Sequence, residues 1–155
     1  MPMDELAKIR QILDNVIKKG YPELLSCDIQ IEYENLDDAL AECQDLKPEG
    51  YNIKVDESLK PATASVKTGV LASELSHIID ELNASSLDKL KDGFLYKVSK
   101  SYRIKDERNT DVTTILRGFG KELLEVMRFA EENGFPYYRE DGMSSRELEV
   151  LLSKK

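Results

Sequence analysis

The sequence predicts a small α+β domain, because some segments alternate apolar and polar residues while others repeat apolar residues at three- and four-residue spacing. The first pattern is the period of a β-strand with one buried face, and the second is the period of an amphipathic helix. A chain of 155 residues fits one domain, since a domain of about 150 residues buries close to 70% of its unfolded surface. We therefore expect a single domain over residues 1–155.

The charge balance argues against two classes of partner. Lys and Arg number 22 against 30 Asp and Glu, which gives a net charge of -8. Nucleic acids and anionic membranes are bound by basic surfaces, so we expect neither as a partner. The charged start of the chain lacks the apolar core of a signal peptide, and the expected location is the cytosol. Cys27 and Cys43 are too widely spaced for a CxxC metal motif, and we expect reduced thiols, with Cys27 in the core.

The N-terminal part of the chain predicts one helix and two strands. Apolar residues at helical spacing mark the helix, which Gly20 and Tyr21-Pro22 end: Leu6, Ile9, Leu13, Val16 and Ile17. Alternating apolar residues mark the strands: Cys27, Ile29, Ile31 and Tyr33 for the first, and Tyr51, Ile53 and Val55 for the second. Between them, the polar stretch from Asp37 to Gly50 is expected to contain a short helix over Ala39 to Cys43.

The C-terminal part predicts three more helices and a third strand. A helix over 64–82 carries a core stripe of Leu71, Leu75, Ile78 and Leu82, and the third strand contains Phe94, Tyr96 and Val98. A long helix follows, with a stripe of Val112, Leu116, Phe119, Leu123, Met127 and Ala130. Gly118 and Gly120 inside it indicate either a close backbone approach or a bend. A capping box, Ser144 with Glu147, predicts a last helix over Glu147 to Leu152.

The densest cluster of reactive side chains lies on the helix over 64–82, in the segment GVLASELSHIIDEL. Its members are Ser73, Glu74, His77, Asp80 and Glu81, and His77 is the only histidine of the chain. On a helical wheel Ser73 and His77 share a face, with Glu74 nearby, and this face is rotated away from the leucine stripe. We therefore expect these side chains to face a groove or the solvent.

This helix resembles the active-site helix of zinc metallopeptidases. Glu74 to His77 match the last four positions of the HExxH motif, after an apolar GVLA segment typical of that family. Ser73 stands where the first histidine would be. The segment from Glu107 to Asp111 is similar to the ExxxD motif of the gluzincin group. The resemblance covers residues 51–132 and implies a small zincin-like fold, with about three strands, an active-site helix, a glutamate helix, and extra N- and C-terminal helices.

The resemblance also implies roles for the site residues. In gluzincins two histidines and the ExxxD glutamate bind zinc, and the glutamate after the first histidine removes a proton from the bound water. Carried over, His77 and Glu107 would be ligands, Glu74 the general base of an active enzyme, and Asp111 a hydrogen-bonding support for a ligand. A Ser73 hydroxyl is a far poorer zinc donor than an imidazole. We therefore expect zinc to bind weakly or not at all.

The leading hypothesis is a metallopeptidase-like protein that binds a peptide, a protein or a small ligand without hydrolysing it. The resemblance implies that the ligand pairs in extended form with an edge strand before the active-site helix. That strand would run from Tyr51 to Ser58 and includes Tyr51, Asn52, Ile53, Lys54 and Val55. Two alternatives stay open. One is an active metal-dependent hydrolase that uses His77, Glu107 and Glu81, and the other is a structural interaction module that docks a partner through the acidic surface and the C-terminal helix.

Overall fold

The computed structural model describes residues 4–37, 39–46, 50–83, 108–135 and 144–153. A three-stranded mixed sheet and packed helices confirm the α+β class. The elements are α1 (Glu5–Gly20), β1 (Ile29–Glu34), β2 (Ala41–Asp45), β3 (Tyr51–Asp56), α2 (Ala64–Asn83), α3 (residues 108–114), α4 (Gly120–Glu132) and α5 (Ser145–Ser153). In this part of the chain, no helix combines the length and the apolar character that crossing a membrane requires.

Helix α1 forms where its periodicity predicts it. The Asp4 side chain accepts a hydrogen bond from the Ala7 N–H at 2.7 Å and so caps the first turn. The buried face consists of Ile9, Leu13, Val16, Ile17 and Gly20, whereas Leu6 stays half-exposed. The helix ends before Tyr21, whose N–H donates to the Ile17 carbonyl.

The sheet has the order β1-β3-β2, with β1 parallel and β2 antiparallel to β3. This order corrects two predictions. The short helix expected over Ala39 to Cys43 is instead strand β2, because Ala41 and Cys43 pack against the core while Glu42 between them is exposed. The strand expected at the edge from Tyr51 to Ser58 is the central strand β3, hydrogen-bonded to a neighbour on each side. The third strand predicted around Phe94, Tyr96 and Val98 lies outside the described residues.

Helix α2 is buried on most of its circumference. Its first half approaches α4 so closely that a Cβ on Gly69 would lie 2.7 Å from the Glu122 carbonyl carbon. Leu71, Leu75 and Ile78 are buried as the periodicity predicts. The prediction that Leu82 belongs to the core is wrong, because this residue is 48% exposed near the end of the helix.

The long helix predicted after residue 108 is bent. Residues Ile115–Phe119 form a widened π-helical turn, in which Gly118 has φ +98°. A positive φ is accessible to glycine at little cost, so Gly118 permits the bend that was one of the two expectations. The bend also rotates the apolar stripe: Phe119, Leu123 and Met127 are buried, whereas Leu116, expected in the core, is 81% exposed.

Helix α5 begins with the predicted capping box. The Glu147 N–H donates to the Ser144 hydroxyl at 3.1 Å, and the Ser144 hydroxyl donates to the Glu147 carboxylate at 3.2 Å. Leu148 packs against Leu123 and Met127 in a small cluster separate from the main core. Bidentate hydrogen bonds from Arg108 to Glu147 connect α5 to α3.

Candidate functional site

The second half of α2 lies between strand β2 and helix α3. We call Ser73, Glu74, His77, Asp80 and Glu81 the polar face of α2, since these are the residues that the sequence singles out. The structure places these residues on two sides of the helix. The charges of Glu74 and Glu81 act on Cys43 of β2, whereas His77 and Asp80 contact Thr110 of α3. Glu107 lies outside the described residues.

On the α3 side, His77 and Asp80 meet the threonines of α3. The Thr110 hydroxyl donates to Asp80 Oδ2 at 3.2 Å and lies 3.5 Å from His77 Nδ1. Because the single Thr110 proton goes to Asp80, the contact with His77 is a hydrogen bond only when Nδ1 carries the proton. The Thr113 hydroxyl lies 3.4 Å from Asp80 Oδ1. His77 thus contacts Thr110, which belongs to the segment that resembles the ExxxD motif.

A row of buried hydroxyl groups joins Tyr21, which follows the end of α1, to α2 and α3. The Ser76 hydroxyl lies 2.7 Å from the Tyr21 hydroxyl and 2.8 Å from the Thr114 hydroxyl. At the two ends, Tyr21 reaches the Ala72 carbonyl at 2.9 Å and Thr114 reaches the Thr110 carbonyl at 3.0 Å. Three hydroxyls hold three protons for these four contacts, so one of the four contacts lacks a proton at any moment. We call Tyr21, Ser76 and Thr114 the hydroxyl row.

The prediction that the polar face opens to a groove or to solvent is only partly right. Ser73 is 5% exposed and Glu74 is 8% exposed, so both belong to the buried layer, whereas His77 is half-buried. The reason is that two elements cover α2 here, one on each side, which a single helical wheel does not represent. Asp111 on α3 is also buried, at 4% exposure.

On the β2 side of α2, carboxylates of the helix raise the pKa of side chains in the sheet. Burial raises the pKa of the Cys43 thiol far above its ordinary range, and the negative charges of Glu74 and Glu81 raise it further. Burial, assisted by Glu81, also raises the pKa of Tyr51 to about 12. Cys43 therefore stays a neutral thiol near pH 7 and is a poor nucleophile. In the described part of the chain both cysteines are free thiols, and Cys27 is half-buried against the core.

The described residues do not by themselves fit a zinc ion. Among them, no three His, Cys, Asp or Glu side chains come together as a set of metal ligands. At the position of the first histidine, Ser73 offers a neutral hydroxyl, which zinc binds poorly. The zinc site, with Glu107 as its third ligand, stays a prediction.

The residues that contact the polar face of α2 were not singled out from the sequence. Tyr21, Thr110, Thr113 and Thr114 all hydrogen-bond to it or lie in the hydroxyl row. A signal for them exists, because threonines at 110, 113 and 114 have the i, i+3 and i+4 spacing of a single helix face. Because this face is polar, a search for apolar stripes does not identify it.

The arrangement provides hydrogen-bonding and anionic groups on both sides of α2. Glu74 and Glu81 supply negative charge toward β2, and Asp80 supplies it toward α3. Such groups attract cationic partners and can orient polar ones. Comparisons of the chain with protein-family models, with curated proteins and with solved structures find no match.

Proposed function

We propose that this protein is a metallopeptidase-like binding protein that holds an extended, basic peptide segment along the edge of β2, beside α2, without hydrolysing it. The observation that carries the proposal is the position of α2 between an antiparallel edge strand and the helix that contains Asp111. The contact between His77 and Thr110 supports it, because Thr110 belongs to the segment that resembles the ExxxD motif.

The outer edge of β2 has the backbone groups that such a ligand needs. The Leu40 carbonyl accepts from the Asp56 N–H at 2.8 Å, and the Leu46 N–H donates to Gly50 at 2.9 Å, so the even-numbered residues face β3. In an antiparallel strand the odd-numbered residues then direct their N–H and C=O groups outward. These residues are Ala41, Cys43 and Asp45. Within the described ranges, no other strand pairs with this edge.

Charge favours a basic ligand. Glu42 and Asp45 are exposed on β2, and the partly exposed Glu81 lies on the neighbouring side of α2. The chain as a whole has a net charge of -8. Main-chain hydrogen bonds would supply the affinity for an extended segment, and lysine or arginine side chains would complement the acidic surface.

The first test is a titration followed by NMR. A blocked hexapeptide of alternating Lys and Val is added to the isotope-labelled protein, and one of alternating Glu and Val serves as the control. We expect the Lys peptide to shift the amide signals of β2 and to protect its outward amides from exchange, and we expect the Glu peptide to bind more weakly. Mass spectrometry should show an intact peptide after prolonged incubation. Cleavage abolished by a chelator would instead support the hydrolase alternative.

A backbone substitution tests the strand contact directly. Asp45→Pro removes an outward N–H but leaves the ladder between β2 and β3 complete, because proline is tolerated where the N–H of an edge strand faces outward. One lost hydrogen bond should weaken binding by about 3- to 10-fold. Asp45→Ala, which removes only the charge, is the matched control. Equal binding by the two variants would contradict pairing at this edge.

A further inference from the structure

The sheet has a second outer edge, on strand β1. The Tyr51 N–H donates to the Asp28 carbonyl at 2.9 Å, so the even-numbered residues of β1 face β3 in this parallel pair. The odd-numbered residues Ile29, Ile31 and Tyr33 therefore direct their N–H and C=O groups outward. Among the strands that the structure describes, none pairs with this side of β1. An unpaired edge of this kind is a template for another extended chain.

A side chain from α1 occupies the first of these outward groups. The Arg10 guanidinium donates through Nη1 to the Ile29 carbonyl oxygen. Its Nε atom lies 3.5 Å from Asp14 Oδ1, one helical turn further on, and this ion pair favours the same orientation of the guanidinium. A strand that approaches β1 must therefore displace Arg10 before it can donate to the Ile29 carbonyl.

The two outer edges of the sheet differ in this respect. On β2, the outward groups of Ala41, Cys43 and Asp45 receive no hydrogen bond from any side chain within the described ranges. On β1, Arg10 takes the Ile29 carbonyl and leaves only the next two odd-numbered residues available. A further strand gains fewer hydrogen bonds on β1 than a strand of this length would otherwise offer.

We infer that Arg10 closes the outer edge of β1 against strand addition, and in particular against β1 of a second copy of this chain. A second copy brings an identical edge, so two copies can pair antiparallel about a twofold axis and join their sheets. Arg10 opposes this pairing because each copy must first give up its charge-assisted hydrogen bond to Ile29. The inference concerns β1 alone and does not depend on a ligand at β2.

The test compares Arg10→Met with Lys8→Met in the full chain. Each variant removes one positive charge from α1, and both native side chains are 47% exposed, so neither change disturbs the core. Only Arg10→Met removes the donor to Ile29. Sedimentation velocity over a concentration series measures self-association. We expect Arg10→Met to associate about tenfold more strongly than the native chain, and Lys8→Met to match the native chain.

Hydrogen exchange followed by NMR identifies the edge at which the copies meet. In concentrated Arg10→Met, the amides of Ile31 and Tyr33 should become protected, whereas in the native chain they should exchange freely. Adding Ile31→Pro to Arg10→Met removes an outward N–H and should return the association to the native level. Equal association of Arg10→Met and Lys8→Met, or new protection confined to β2, would overturn the inference. Peptide binding at β2 is read from other amides, so its failure leaves this result unchanged.

Discussion

The two halves of helix α2 are held in place by different kinds of contact. In the first half, Gly69 lets α4 approach to near backbone contact, and the neighbouring Val66 and Val70 are buried. In the second half, Ser76, His77 and Asp80 meet α3 through hydroxyl, imidazole and carboxylate groups. One helix therefore contains an apolar contact and a polar one, separated by about two turns.

The difference shows where this chain can tolerate change. A close apolar contact depends on volume, so that even one added methyl group must displace a neighbour. A polar contact depends on having a partner for every donor and acceptor, and its members are linked through shared protons. We expect substitutions in the first half to lower stability through steric overlap. In the second half, we expect the effect of one substitution on stability to depend on whether its hydrogen-bonding partner is also changed.

The largest effect should come from Gly69→Ala. The new Cβ would lie 2.5 Å from Val126 Cγ2 and 2.7 Å from the Glu122 carbonyl carbon, and the second contact involves backbone that cannot rotate away. We expect the free energy of unfolding to fall by about 3 kcal/mol, measured by urea denaturation. Gly120→Ala is the matched control, because its Cβ would approach closely only the end of the flexible Leu152 side chain, at 2.8 Å, with Ile115 at ordinary contact distance. Similar losses in both variants would mean that the α2–α4 contact is not the constraint.

The second prediction lies at the boundary between the two halves. Ser73→His completes the HELSH pattern, so it should create a zinc site if Glu107 faces His77 as the resemblance implies. Ser73 is buried, and the larger side chain should first lower stability by about 1 to 3 kcal/mol without metal. Zinc at about 100 times its dissociation constant should then restore roughly 2.7 kcal/mol. Calorimetric titration and thermal unfolding, each with and without zinc, measure both effects.

Two control variants accompany the histidine substitution. Ser73→Asn introduces a buried polar group without an imidazole and should show no response to zinc. Glu107→Ala in the histidine background should weaken zinc binding by about 10-fold or more, if the glutamate is a ligand. A histidine variant that gains no zinc affinity, with or without Glu107, would end the gluzincin interpretation.

The hydroxyl row predicts a smaller, coupled effect in the second half. Tyr21→Phe and Thr114→Val should each cost about 1 kcal/mol, since each removes one member of a buried hydrogen-bonded chain. The two side chains share Ser76, so the double variant should differ from the sum by about 0.5 kcal/mol or more. A cycle that pairs Tyr21→Phe with Thr113→Val, outside the row, should be additive. The measurement is chemical denaturation of all the variants.

The smallest effect concerns the contact between Arg108 of α3 and Glu147 of α5. The hydrogen bond from Arg108 lowers the pKa of Glu147 below its ordinary value of 4.5. A carboxylate with a lowered pKa stabilises the fold fully above its unfolded pKa, and this contribution is lost as pH falls through the folded pKa. Glu147→Gln should therefore be less stable than the native chain at pH 7, and this deficit should shrink as the pH falls below 4.5, in parallel thermal unfolding. A deficit that does not change with pH would point to the capping box instead.

The sequence predicts the helices and β1 well because their signals are local. The Asp4 cap, the Gly20 stop and the Ser144 box each act within a few residues of their own position. Strand β2 was missed because its five residues are too few for a clear period. The central place of β3 was missed because its expected edge position came from the resemblance. The alternation with Asn52 and Asp56 indicated one polar face, whereas these two residues are 7% and 5% exposed. Their burial comes from neighbouring segments, as with Asp56, which accepts from the Leu36 N–H at 2.7 Å.

The candidate site was predictable in its residues but not in its surroundings. The sequence identifies His77 and Asp80 from their chemistry, yet their partners Thr110 and Thr113 come from a helix about thirty residues later. Which side of α2 faces α3 and which faces β2 depends on the packing of three elements. The same limit explains Leu116, whose exposure follows from the bend at Gly118 and not from its own position in the apolar stripe.

The central place of β3 has a consequence for the order in which the sheet assembles during synthesis. The first two strands leave the ribosome before the strand that joins them, so neither has its partner until about residue 56 has emerged. The antiparallel pair β2–β3 can close first, because a short connection separates its strands. The parallel pair must bring Ile29 beside Tyr51 across a longer loop and should form later. Until then β1 is an exposed strand, which makes it the segment most open to non-native pairing in the nascent chain.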